Sequence, residues 1–259
     1  MDDEMSGSAH DHLLGGWVRH LSRLAPGAGR DRLLPLGREL LDRYGEAHRA
    51  YHDRRHLAEV LAGVALLAEH ADDLSVAVAA AWWHDAIYTV PVLTSAGSSS
   101  TGVGGDGAGD SGSGSGSGSG SPTTGVAPSD GLSNEEASAR LAEEQLSELG
   151  ADPDRVVRVG ALVRMTAGHD PSPLDPDAQV LSDADLSVLA SPPNRYATYV
   201  ADVRHEYAAV PEDLFRTGRA ALLRSLLDHD RIFRTPSAHE RWEADARANI
   251  AAELRELDA

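Results

Sequence analysis

The sequence contains no cysteine, which removes disulfide frameworks, thiolate zinc sites and cysteine nucleophiles together. It also lacks any apolar run near the ~20 residues needed to span a bilayer. The opening "MDDEMSGSAHDHLLGG" is acidic and without the basic-then-apolar order of a secretory signal, so the expected location is cytoplasmic. Basic residues are scarce. There are 23 Lys and Arg against 41 Asp and Glu, and the formal charge of −18 repels nucleic-acid polymers and anionic membranes at long range. Neither is expected as a partner, whereas a small phosphorylated substrate stays open, because a metal ion and a few arginines can reverse the potential locally. Strand alternation with hairpin turns is missing as well.

What is present reads as an all-α protein. With 259 residues, 41% of them hydrophobic, the chain can bury one sizeable core. "DRLLPLGRELLDRYGE" and "HLAEVLAGVALLAEHA" place apolar residues three and four apart, and "LSVAVAAAWWHDAIY" is apolar on most sides, as a central helix would be. "SNEE" at 133–136 and "SAHE" at 237–240 fit the capping box, and Asp152 followed by Pro153 marks a further helix start. The expectation is roughly eight helices in a single domain over 1–259, without internal repeats. One low-complexity insert interrupts it at about 94–131: from Ser95 to Ser121, 21 of 27 residues are Gly or Ser, too few apolar groups to offset the entropy of ordering. Because loop closure costs grow only with the logarithm of length, such an insert fits inside one domain as a disordered loop.

Polar residues break the apolar faces at a few places. His84 and Asp85 follow "AAAWW" directly, and a carboxylate beside residues made for burial needs a cation or strong donors to stay ionised. A metal ion is the candidate partner; without it, the carboxylates around such a site would be left to repel one another. His52 and His56 in "YHDRRH" are four apart, so on a helix they would share a face and could reach one ion, although a pair of this kind taken alone reads first as two helix-surface histidines. The aspartate after His52 departs from the zincin pattern, which has glutamate there. Asp183 and Asp185 in "VLSDADLSVLA" complete the set of candidate ligands, with turn or cap duty as the other role open to them. Neutral imidazoles with carboxylates suit Mn, Fe, Co, Ni, Zn or Mg as a divalent cofactor.

Taken in order, these residues resemble the HD superfamily of metal-dependent phosphohydrolases, in which a His, a His-Asp pair and a distant Asp sit on a helical bundle. The likeness is to a bacterial branch of predicted HD phosphohydrolases and rests on "YHDRRHLAEVL", "WWHDAIY", "NEEASA", "LSDADLSVLA", "VRHEY" and "RANIAAEL", which between them cover most of the chain outside the insert. The resemblance implies an HD-like bundle with His56, His84, Asp85 and Asp185 as metal ligands. His56 is preferred to His52 because it precedes the apolar "LAEVL", and Asp185 to Asp183 because it directly precedes a leucine; His52 and Asp183 remain secondary candidates. Nucleotidase members carry a glutamate three residues after the His-Asp pair, where this chain has Tyr88, and Glu135 is the candidate substitute.

The implied activity is hydrolysis of a small phosphorylated substrate, such as a nucleotide, by a metal-activated water. Asp85 or Glu135 would accept the water's proton, and His169 would protonate the leaving group or bind a second ion. Arg54 or Arg55 would fork the phosphate, and Arg204, Glu206 and Tyr207, with Tyr196, would line the pocket. Two other readings stay open, a di-iron oxygenase on the same ligands and a non-catalytic bundle stapled by metal. Substrate, native metal and oligomeric state are open at this level.

Overall fold

The computed structural model describes residues 2–90 and 132–259; the insert expected at 94–131 lies outside the described residues. Among the described residues there are ten α-helices and no strand. These are α1 (Asp2–Leu24), α2 (Arg30–Arg43), α3 (Arg54–Leu66), α4 (Leu74–Trp83), α5 (Asn134–Glu148), α6 (Pro153–Met165), α7 (Pro176–Asp185), α8 (Pro193–Glu206), α9 (Glu212–Asp228) and α10 (Pro236–Leu257). The count exceeds the eight expected. In α1, for example, the run "SGSAHDH" is poor in helix formers, and burial of Trp17 and Leu21 against the core outweighs that local preference. No helix is long and apolar enough to cross a membrane among the described residues.

α4 is the axis of the fold. Every residue from Ser75 to Trp83 is buried, and α1, α3, α5, α6 and α7 all pack against it. Its tryptophans close the core with Trp17, whose ring lies 4.9 Å from Trp82 and 5.2 Å from Trp83. The indole N–H groups buried there are satisfied, Trp17 donating to the Leu33 carbonyl and Trp83 to the Gln145 side chain.

Helix starts follow side-chain chemistry. Asp53, Asp73, Ser133 and Asp152 cap α3, α4, α5 and α6 by accepting from backbone N–H groups of the first turn. The α10 start differs from expectation: Thr235, not Ser237, is the cap, since Pro236 fills the first helical position without needing a partner for an N–H. The ends of α4 and α7 and the beginning of α3 meet at one place, and the polar residues converge there.

Candidate metal centre

His56 is the third residue of α3, His84 and Asp85 sit on the turn just after α4, and Asp185 is the last residue of α7. Their ligand atoms are brought together. His56 Nε2 lies 3.1 Å from His84 Nε2, 3.4 Å from Asp85 Oδ2 and 3.2 Å from Asp185 Oδ1. His84 Nε2 lies 3.1 Å from Asp85 Oδ2 and 3.6 Å from Asp185 Oδ1. Both imidazoles are buried, while the carboxylates are 15% and 13% exposed and so face an opening.

The donor set fits a divalent cation. Bonds of about 2.1 Å imply donor-to-donor edges of about 3.0 Å in an octahedron and about 3.4 Å in a tetrahedron; four of the five distances, 3.1 to 3.4 Å, fall in that range and the fifth, His84 to Asp185, is 3.6 Å. Two carboxylates with neutral imidazoles carry a charge of about −2, which a divalent ion cancels. The tautomer is right as well: His84 Nδ1 lies 2.8 Å from the Ala81 carbonyl, which can only accept, so Nδ1 carries the hydrogen and the Nε2 lone pair faces the cluster. The buried group of His56, His84 and Asp185 could hold a metal ion.

Charges within the cluster are offset even before a metal arrives. Burial is the largest single influence and opposes a charged imidazole, but Asp85, Tyr44 and Asp185 together outweigh it at His84, and the hydrogen bonds to Asp185 and Asp85 with the charge of Asp185 outweigh it at His56, so both are raised. Burial likewise opposes the carboxylates, yet the charge of His84 leads in holding Asp85 and Asp185 below their usual range. Imidazoles and carboxylates thus each favour the other's charged form in the metal-free cluster.

A frame of buried polar groups fixes the turn that carries the pair. The Tyr44 phenol, which burial pushes up to about 12, contacts the Trp82 carbonyl at 3.2 Å and accepts from the Asp85 N–H at 3.3 Å. The Arg49 guanidinium donates to the carbonyls of Asp85 at 2.7 Å, Ala86 at 3.2 Å and His52 at 3.2 Å, binding the end of α4 to the loop before α3. Glu206 holds that loop from the other side, taking the N–H groups of Ala50, Tyr51 and His52 on Oε1 and His52 Nδ1 and the Tyr88 hydroxyl on Oε2. The sequence reading missed Tyr44 and Arg49. Their partners on this turn are mainly backbone atoms, which leave no residue-type signature.

The other candidates separate by geometry. His52 is outside the cluster, paired to Glu206 at 2.7 Å with its ring edge-on to His56 at 5.6 Å. The premise of a shared face fails because α3 begins only after the Asp53 cap. Asp183 is spent on structure, accepting from the N–H groups of Arg234 and Thr235 and the Thr235 hydroxyl, each at 2.7 Å. Two residues apart on a helix means about 200° of turn, so only one of Asp183 and Asp185 can face the centre.

The arginines are engaged elsewhere. Arg54 donates to the Leu41 carbonyl and Asp42, Arg55 to Asp202, and Arg204 to Glu212 and the Tyr207 and Val210 carbonyls. Arg54 stands 200° and Arg55 100° from His56 around α3, which explains why neither turns towards the ligands. Tyr196 donates to Glu253 in a buried network with Arg219, away from the pocket proposed for it, whereas Tyr207 sits by Tyr88 and Phe215, and the charges of Glu135 and Asp85 reach it.

His169 is at the rim, its Nε2 3.5 Å from Asp185 Oδ2 and its Nδ1 3.3 Å from the Ser182 hydroxyl. Its φ of 47° is unusual for a residue with a side chain, as happens where a functional group is aimed at cost to the backbone. Burial lowers it, in contrast to His56 and His84. Glu135, on the first turn of α5, is half-buried and near enough for its charge to act on His169. No protein-family model, curated protein or solved structure matches this chain.

Proposed function

We propose that this chain is a metal-dependent phosphohydrolase of the HD type, a single helical domain acting in the cytoplasm on a small phosphorylated substrate. One observation carries the reading: the two buried imidazole nitrogens of His56 and His84 lie 3.1 Å apart and each is 3.1 to 3.6 Å from a carboxylate oxygen of Asp85 and of Asp185, in the chain order His, His-Asp, Asp. His56, His84, Asp85 and Asp185 would hold the ion, and two nitrogen donors favour Mn, Fe, Co, Ni or Zn over Mg. When bound, such an ion lowers the pKa of a coordinated water and polarises a phosphoryl oxygen.

The chain's own groups supply the rest. Asp85, held ionised and partly open, accepts the proton of the attacking water. Glu135, whose charge acts on His169, stands in reserve for the same task. His169, kept neutral by burial, takes and passes a proton beside Asp185. With Arg54, Arg55 and Arg204 engaged in the fold, the phosphoryl group is positioned by the ion's charge together with His52, His169 and Tyr207.

A second reading, oxygen chemistry on two irons, draws on Asp185 turning Oδ1 to His56 and Oδ2 to His169, so that Asp185 and His169 would help hold a second iron. Elemental analysis of the purified protein, with a screen of phosphomonoesters, nucleotides and diphosphates in Mn, Co, Ni and Mg, tests both. The hydrolase reading expects phosphate release that depends on the added divalent ion. Two irons per chain without release would favour the oxygenase, and bound metal with no turnover of any ester would leave a stapled bundle.

A further inference from the structure

We infer that Gly63 sets the spacing of the metal donors by fixing how closely α3 and α7 approach, an inference that rests on reading the His56, His84 and Asp185 cluster as a cation site. Gly63 lies seven residues after His56, two helical turns less 20°, so the two share one face of α3 about 10.5 Å apart. That face meets α7 at Ala184, the residue immediately before the ligand Asp185. A Cβ at Gly63 would stand 2.9 Å from Ala184 Cβ and 3.0 Å from its Cα. Neither atom can swing aside, since one is a methyl fixed to the helix and the other is backbone.

The consequence follows from contact distances. Carbon atoms rest about 3.5 to 4.0 Å apart, so any side chain at Gly63 must part the helices by about 0.6 to 1 Å. His56 rides on one of these helices and Asp185 on the other, with 3.2 Å between their ligand atoms. Metal–ligand distances tolerate about 0.2 Å, several times less than the displacement. Gly63 is thus a positioning residue that touches neither ion nor substrate.

The test is a pair of substitutions and their combination, read by Mn(II) and Zn(II) affinity from chelator competition and by thermal melts in chelator. Gly63→Ala is expected to weaken metal binding at least tenfold. Adding Ala184→Gly, which removes the methyl that the new Cβ meets, is expected to restore affinity to within about threefold of wild type. Ala184→Gly alone should bind metal as wild type does, even though its melting temperature falls. A Gly63→Ala protein that binds metal normally, or one that the second substitution does not rescue, overturns the inference, and so does failure of Gly63→Ala to fold without recovery in the double variant. Wild type that takes up neither ion would instead defeat the metal reading itself, which separates the two failures.

Discussion

Metal binding should displace protons from this cluster, and the geometry sets how many. The Ala81 carbonyl fixes hydrogen on His84 Nδ1, so any further proton on that ring must occupy Nε2. His56 Nε2 is only 3.1 Å from the same atom. One proton fits between them; a second fits only if each ring turns its N–H to its own carboxylate, His84 to Asp85 at 3.1 Å and His56 to Asp185 at 3.2 Å. Both imidazoles are raised above the usual His value, so the metal-free cluster holds one or two such protons at pH below those raised values. An ion needs both lone pairs and must expel them.

Apparent affinity should therefore climb by one to two powers of ten per pH unit below the raised imidazole values, or about 1.4 to 2.7 kcal/mol per unit, and flatten above them. Stability of the metal-free protein carries the opposite sign. The raised histidines stabilise the fold fully below the ordinary His pKa near 6.5, and that contribution disappears as pH rises through the folded values. Chelator competition with Mn(II) between pH 5.5 and 8.5 measures the slope, and calorimetry in two buffers of different ionisation enthalpy counts the protons. A flat affinity profile with buffer-independent heat would refute the arrangement.

Two further outcomes concern the frame. Asp183→Ala removes three hydrogen bonds of 2.7 Å and leaves the N–H groups at the start of α10 without their buried acceptor, so it should cost about 3 kcal/mol equally with chelator and with Mn; loss of metal stoichiometry would show that Asp183 is a ligand after all. Burial raises the Glu206 carboxyl, but the His52 imidazole and the backbone N–H groups of His52 and Tyr51 outweigh it and hold it at about 2. A depressed carboxylate stabilises the fold above its unfolded value near 4.3 and ceases to do so as pH falls towards 2. Wild type should lose melting temperature steeply between pH 5 and pH 2, and Glu206→Gln should lose less; identical acid slopes would sink the assignment.

The cluster was legible because metal chemistry restricts residue types and helix geometry restricts their spacing. His84 and Asp85 stood out against "AAAWW", where a polar pair has no cheap alternative. All-helical character was legible for the same reason, since periodicity and caps are local. What escaped was whatever depends on where a helix starts or whom a side chain meets. The two histidines four apart implied a common face, but the Asp53 cap begins α3 between them and sends His52 to Glu206. The arginines nearest the ligands in sequence were expected to hold phosphate, and their azimuths on α3 turn them to Asp42 and Asp202 instead.

Placement at helix ends also bears on why a cation would be held here at all. His84 and Asp85 follow the C-terminal end of α4, and Asp185 is the C-terminal residue of α7. Each such end carries partial negative charge from carbonyls, worth about 0.3 to 1 kcal/mol to a nearby cation. Arg49 sits just beyond one of them, its guanidinium donating to the carbonyls of Asp85 and Ala86 on the turn that follows α4. The turn thus anchors a permanent cation and also carries the side chains of His84 and Asp85. Arg49 fixes the backbone from which His84 and Asp85 project, so the donors left to offer an ion are the imidazole nitrogens and carboxylates of the cluster.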